Sequence, residues 1–251
     1  MEQATSKLKN TTSKSSNHHV ESNTATQIAK ILLVDDHPVV RKGLASMIDA
    51  EPGIKVIAEA EDARQGIDQI KKHNPDLSIV DLSLKDTGGL ELIKQIRALQ
   101  SQMPLLVLSM HDEAIYAERA LKAGANGYIM KQELGERLIS AIRTVMRGEI
   151  YLSEAMSSRI LGKMVGGHAR KENELTPMER LSDRELEVFE MLGRGLNTRE
   201  IAEKLCLSIK TVETHREHIK EKLGISDATK LIQQATHWVI GEGQSHEHND
   251  I

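Results

Sequence analysis

Adjacent acids Asp35 and Asp36 follow the apolar run Ile31-Leu32-Leu33-Val34, and a third acid, Asp81, closes the run Leu77-Ser78-Ile79-Val80. Ser109 ends Leu105-Leu106-Val107-Leu108, and Lys131 follows Tyr128-Ile129-Met130. Each stands where a short buried strand is expected to finish. Three carboxylates drawn together repel one another, which raises their pKa values unless a cation offsets the charge. A hard divalent ion, Mg²⁺ above all, binds through one or two carboxylates and keeps waters for phosphate oxygens. The set therefore suits transfer of a phosphoryl group onto an aspartate: a carboxylate attacks, a metal neutralises developing charge, and an ammonium and a hydroxyl hold the remaining oxygens. Any one acid at a strand end is as readily a solvated loop residue. Five suitable side chains gathered at strand ends are much harder to explain that way.

Positioning them requires strands that end side by side. Between residues 29 and 148, short apolar runs alternate with longer amphipathic ones, from KILLVD and VVRKGLASMIDA to GYIM and LGERLISAIRTVMRG. Five such β-then-α units predict an α/β domain: a five-stranded, doubly wound parallel sheet with helices on both faces. Pro75, Pro104 and the Gly124/Gly127 pair mark strand starts. In an open parallel sheet, ligands sit outside the carboxyl ends of the strands, where the winding reverses. Residues 1–28 are Ser, Thr, Asn and Lys with little to bury and are expected to be a disordered extension, and His18-His19 there to be solvated. Residues 149–181 read as a linker, with a short helix to Met164 before Gly166-Gly167, and residues 241–251 as a disordered polar tail.

Residues 182–240 carry only helical patterns and predict a small all-α domain of four helices. Ser182 with Glu185, and Asn197 with Glu200, have capping-box spacing. In NTREIAEKLCLSIKTVETHREHIKEKL, Ile201, Ala202 and Leu205 face a core, Leu207 packs in a tight turn, and Ser208 caps a longer helix. On that helix Val212, Ile219 and Leu223 point inward with Arg216 on the same side, while Lys210, Thr214 and Glu217 point outward, flanked by Thr211, Glu213 and His218. Such an outward face fits a DNA major groove. Arg194, Arg199, Lys210, Arg216, Lys220 and Lys222 surround it, and Thr198 and Thr211 add neutral donors for phosphates. The final helix has the apolar stripe Leu231, Ile232, Ala235, Trp238 and Val239, either core closure or a dimer seam.

Composition narrows the functions open to the chain. Hydrophobic residues make up 39% and charged residues 28% of 251, a globular balance with room for two domains. Aromatics at 2% exclude a base-stacking platform. The single cysteine, Cys206, excludes an internal disulfide and a multi-cysteine metal site, and is expected to fill a small space in a core. No apolar run approaches the ~20 residues of a membrane span, and the N-terminus lacks a signal-peptide pattern, so a cytoplasmic location without membrane contact is expected. Net charge is −4, and residues 182–240 hold nine Lys/Arg against ten Asp/Glu. Any DNA binding must come from a local surface, and dimerisation would add to it.

On Asp35-Asp36, Asp81, Ser109, Tyr128 and Lys131, residues 29–148 resemble the flavodoxin-like receiver domain of two-component response regulators. That resemblance implies Asp81 as phosphoacceptor, Asp36 directly on Mg²⁺, Asp35 acting on it through water, and the Ser83 backbone carbonyl as a further ligand. It implies Ser109 and Tyr128 as switch residues and Lys131 as the cation pairing with the phosphoryl group. The sequence departs from the family at Lys85 and Gln132, where prolines are common. Residues 182–240 are similar to LuxR-type helix-turn-helix domains, by Glu185, Gly195, the Asn197-to-Leu205 segment and LSIKTVETHREHIKEKL, and the pair of domains resembles the NarL/FixJ class. The helix-turn-helix then spans about Leu196 to His215, with Glu213 and Thr214 at base-reading positions. An acid there is less usual than lysine and could accept from cytosine N4.

The resemblance implies a phosphorylation-controlled, DNA-binding transcription regulator rather than an enzyme, with chemistry limited to its own Asp81. Its expected partners are a sensor histidine kinase, promoter DNA, a second copy when phosphorylated, and RNA polymerase. His37 and His111 are expected to lie beside the site and on the surface, respectively. Two rivals remain: a regulator indifferent to phosphorylation, and a Mg²⁺-dependent phosphohydrolase. The hydrolase predicts a second acid close behind the nucleophile, whereas Leu82-Ser83-Leu84 follows Asp81.

Overall fold

Five parallel strands lie in the order β2-β1-β3-β4-β5: β1 (Ala29–Val34), β2 (Ile54–Ala60), β3 (Leu77–Asp81), β4 (Leu105–Ser109) and β5 (Gly127–Met130). The computed structural model describes residues 28–84, 88–100, 102–165 and 176–245. The N-terminal extension before residue 28, Lys85, Gly166-Gly167 and the end of the chain past residue 245 lie outside the described residues. Helices α1 (Pro38–Asp49), α2 (Ala63–His73), α3 (Gly89–Leu99), α4 (Glu113–Ala123) and α5 (Glu136–Met146) connect and cover the strands. Because β1 is flanked by β2 and β3, the winding reverses between β1 and β3. Those are the strands that end in Asp35-Asp36 and Asp81.

Alternation along the strands divides the sheet's side chains between two faces. Ile31, Leu33, Ile79, Leu106 and Leu108 pack with Leu44 and Ile48 of α1 and Leu138, Ile142 and Val145 of α5. Leu32, Val34, Val80, Leu105 and Val107 pack with Ile70, Leu92, Ile93, Ile96, Ala117 and Ala120 of α2, α3 and α4. Each fully buried Leu, Ile or Val contributes roughly 1.5–3 kcal/mol relative to exposure, so both faces hold the sheet firmly. Pro38 starts α1 at a position whose N–H has no helical partner.

After α5 the chain returns to the sheet edge, where Tyr151 bridges Gly127, and then forms α6 (Glu154–Val165) against α4. The remaining helices are α7 (Asp183–Gly193), α8 (Thr198–Lys204), α9 (Ile209–Leu223) and α10 (Ala228–Ser245). Leu186, Phe189, Leu192, Ile201, Ala202, Val212, Ile219, Leu231 and Ala235 form their core. Both expected capping boxes are present, at Ser182/Glu185 and Asn197/Glu200, and the Ser208 side chain accepts from Thr211 N.

Two expectations need correction. The polar tail does not begin at Gly241, because α10 runs to Ser245 despite Gly241 and Gly243. Cys206 is exposed rather than in a core: it turns the chain between α8 and α9 with a positive φ of 50°. The α10 stripe contributes to core closure. Leu231 and Ala235 are buried and Trp238 tilts against Phe189 at 5.7 Å, closing the core, while Ile232 and Ile240 stay exposed.

Candidate functional site

The strand ends bring the predicted residues together. Lys131, in a 3-10 turn directly after β5, places its Nζ 2.7 Å from Asp35 Oδ2 and 2.8 Å from Asp81 Oδ2. Asp35 Oδ1 accepts from His37 N at 2.7 Å, and Asp81 Oδ1 from Ser83 N at 3.2 Å. His37 is nearer the site than its sequence position required, with Nδ1 2.6 Å from Asp36 Oδ1. The loop after Asp81 must stay close to α3. A Cβ at Gly89 would stand 2.3 Å from the Asp81 carbonyl oxygen, so only glycine lets α3 begin there.

Burial and charge set the electrostatics. Burial, with Asp35 adding like charge, pushes the Asp81 carboxyl above its ordinary value, and Lys131 and the Ser83 amide only partly oppose it. Burial works against the Lys131 ammonium too, but Asp81 and then Asp35 outweigh it and keep Lys131 protonated. Donor oxygens of Asp35, Asp36 and Asp81 and a ring nitrogen of His37 lie within 4.8 Å of one another. Three carboxylates face one ammonium, leaving an excess of negative charge among hard oxygen donors. That donor set fits a divalent cation.

The two switch candidates are held by one residue. Ser109 Oγ accepts from the backbone N–H of His111 at 3.0 Å, and Tyr128, buried, donates its hydroxyl to the His111 carbonyl at 2.7 Å. His111 is not on the surface as expected. It is buried, stacks on Tyr116 with ring centroids 4.5 Å apart, and places Nε2 3.0 Å from Ser83 Oγ. Its Nδ1 lies 3.3 Å from Glu190 Oε1 on α7, and burial holds the imidazole below its ordinary pKa. Sequence reading missed it because its cover comes from α7, far along the chain. The available signal was its place two residues past the end of β4, on the edge where the other site residues gather.

The helical domain docks on this same edge and on α3 and α4. Asp183 pairs with Lys94 at 2.9 Å and Arg119 at 2.8 Å, and these cations hold its carboxyl below the ordinary value against the effect of burial. Arg119 also donates to the carbonyls of Met178 and Leu181, and Tyr116 donates to Glu190 Oε2 at 2.9 Å.

On α9, Lys210, Glu213 and Thr214 are exposed, as the helical spacing predicts, and Thr211 is half-buried beside Ser208. Arg216 is turned to α8 and donates to Thr198 Oγ1, so these two predicted contacts join the helices to each other. Lys220 pairs with Glu217 at 2.8 Å, and Arg199 with Glu203 at 3.5 Å. Among the described residues, no helix is long and apolar enough to cross a membrane.

Comparison with known proteins agrees with both halves. Residues 31–143 match the response regulator receiver domain, and residues 179–235 match the bacterial regulatory proteins of the luxR family. The oxygen regulatory protein NreC of Staphylococcus carnosus is 36% identical over 209 residues, covering 82% of this chain and 96% of its own. RcsB of Salmonella enterica serovar Typhimurium, solved on the promoter rprA with the phosphomimetic BeF3⁻, aligns with a TM-score of 0.60 at 26% identity, over 83% of this chain and 98% of that one. A further structure of Salmonella typhimurium RcsB aligns at 0.64 and 27% identity, over 84% and 98%. With a five-stranded receiver whose acidic edge carries Asp35, Asp36 and Asp81, joined to a LuxR-type helix-turn-helix domain, the chain belongs to the NarL/FixJ class of DNA-binding two-component response regulators.

Proposed function

We propose that this protein accepts a phosphoryl group on Asp81 from a sensor histidine kinase and controls transcription by binding promoter DNA through α9. The observation that carries this reading is the Lys131 ammonium bridging Asp35 and Asp81 at the reversal point of the sheet. A carboxylate oxygen of Asp81 attacks phosphorus; the new P–O bond forms as the N–P bond of the phosphohistidine breaks, and the imidazole leaves and takes up a proton from water. Asp36, Asp81, the Ser83 carbonyl and, through water, Asp35 would hold Mg²⁺, which when bound neutralises charge on the transferring oxygens. Lys131 pairs with the phosphoryl group, and Ser109 leaves the His111 amide to donate its hydroxyl to a phosphoryl oxygen. Tyr128 already points inward, so its hydroxyl bond to His111 is the part of the switch that must hold or break. Hydrolysis of the acyl phosphate resets the protein, and turnover of outside substrates is no part of this function.

On the DNA side, Glu213 and Thr214 read base edges, and Lys210, Thr211, Arg199 and Lys220 approach phosphates. Arg216 and Thr198 support them by locking α9 to α8. Two phosphorylated copies pair on the DNA, with Ile232 and Ile240 of α10 open for that contact, and RNA polymerase is the downstream partner. Incubation with acetyl phosphate and Mg²⁺ should give one phosphoryl adduct by intact mass, absent in Asp81→Asn; equal incorporation in the variant would remove Asp81 from this role. The exposure of α9 favours a second reading, in which DNA binding ignores phosphorylation. Identical promoter affinity with and without phosphodonor would support it.

A further inference from the structure

The docked domains leave the two functional regions unequally covered. The reading face of α9 stands open, while the acceptor edge is roofed by α7 and the end of α8. Between them is a cavity of about 240 Å³, walled by Asp36, Ser83 and His111 on one side and Glu190, Arg194 and Lys204 on the other. Beneath it the Asp81 side chain has 0% exposure, and those of Asp35 and Asp36 have 3% and 4%. At the cavity wall, Gly88 has a φ of 76°, and a Cβ there would stand 2.4 Å from Glu187 Oε1 of α7. The roof is fastened by Asp183 to Lys94 and Arg119, and by Glu190 to Tyr116.

We propose that the DNA-binding domain is a lid on the phosphoacceptor that selects phosphodonors by size. Docked, it leaves room for a small acyl phosphate against Asp36 and Ser83, next to Asp81; phosphohistidine borne on a protein reaches Asp81 only after the lid lifts. This rests on the reading of Asp81 as acceptor. In-line transfer needs the phosphorus within about 3–3.5 Å of the attacking oxygen. A phosphoimidazole projects only a side chain's length from its carrier, so at that distance the carrier's surface would occupy the space of α7. At about 30 Å³ for each water-sized volume, the cavity holds roughly eight non-hydrogen atoms, the size of acetyl phosphate. The rim of the lid is fastened by polar pairs, and beside them buried apolar residues of both domains join in one cluster. The lid thus controls entry of the signal, and the surface that reads DNA is open in the same conformation.

The test compares phosphorylation rates of the full-length protein with two donors, acetyl phosphate and a phosphohistidine-carrying kinase domain. Asp183→Lys, which reverses the charge facing Lys94 and Arg119, should raise transfer from the protein donor roughly tenfold or more, because the lost fastening is of the order of one decade of equilibrium constant. The acetyl phosphate rate should stay within about twofold, as expected for a donor whose access the lid does not limit. Lys94→Glu opens the same fastening from the receiver side and should act alike, so a folding defect in one variant does not decide the result. Combining Asp183→Lys with Arg119→Asp re-forms a pair and should return the protein-donor rate toward that of the wild type. Equal acceleration of both donors, or no acceleration of the protein donor in either single variant, overturns the lid. Incorporation that persists when Asp81→Asn is added defeats the acceptor reading itself, and it is read from that arm and not from the donor ratio.

Discussion

The acidic pocket at the strand ends and the face of α9 solve opposite problems. In the pocket, Lys131 holds two carboxylates, Asp35 accepts from two donors, and Ser83 fixes the remaining oxygen of Asp81, with both carboxylates buried. On α9, Lys210 and Glu213 stand exposed, and Thr214 beside them donates its hydroxyl to the Lys210 carbonyl within the helix. A site that must present one geometry to a reacting phosphorus atom needs groups fixed beforehand. A surface that meets a polyanion can leave its charges solvated, because ion release supplies much of the affinity. The contrast predicts that the same kind of substitution affects stability in one region and affinity in the other.

The largest stability effect expected is at Lys131, whose side chain is only 6% exposed. Lys131→Met leaves buried carboxylates without their cation and should cost about 3–5 kcal/mol in EDTA. Mg²⁺ should return part of that loss, since a divalent ion answers the same excess charge. Removing the equally charged but exposed Lys210 should shift stability by no more than about 0.5 kcal/mol. Urea unfolding of the two variants side by side measures the difference, and similar losses would erase the distinction between the regions.

DNA affinity should show the reverse order. Glu213→Ala or Thr214→Ala should cost about 1–3 kcal/mol on the specific promoter and less on unrelated DNA. Lys210→Ala should weaken both kinds of DNA together and reduce the slope of log affinity against log salt by about 1. Anisotropy titrations across several salt concentrations separate these outcomes. A loss at Lys210 confined to one sequence would move it from phosphate contact to base reading.

The same contrast explains which features the sequence made legible. Asp35, Asp36, Asp81, Ser109 and Lys131 could be found because each ends a short apolar run, and the winding rule says that those ends meet. Ser182, Asn197 and Ser208 could be found because a cap is satisfied within three residues of itself. His111 could not, since its burial depends on α7, about eighty positions later, and no local pattern announces a docking surface. Cys206 misled for a related reason: its residue type favours burial, but its place in a tight left-handed turn overrides that preference. The end of α10 was hidden by Gly241 and Gly243, each a cost of about 1 kcal/mol to a helix that nevertheless continues.

The smallest effect expected concerns the proton rather than the phosphoryl group. Burial raises the Asp81 carboxyl above its ordinary value of 3.8, so its charged form is disfavoured in the folded protein. Below 3.8 the group is protonated in both folded and unfolded chains, and its ionisation costs the fold nothing. As pH rises through that value the unfolded chain ionises first, and stability declines until the folded group has ionised as well. Asp81→Asn removes this penalty. In EDTA the variant should therefore be more stable than the wild type at pH 7.5, with the gap narrowing as pH falls toward 4.5. The gain is smaller than the loss at Lys131 because Lys131 already offsets part of the Asp81 charge and loses one partner in the variant. Mg²⁺ should narrow the gap at pH 7.5 by stabilising the wild-type carboxylate. A gap that widens on acidification would mean that Lys131 outweighs burial at Asp81, and the pocket would then be neutralised without a metal.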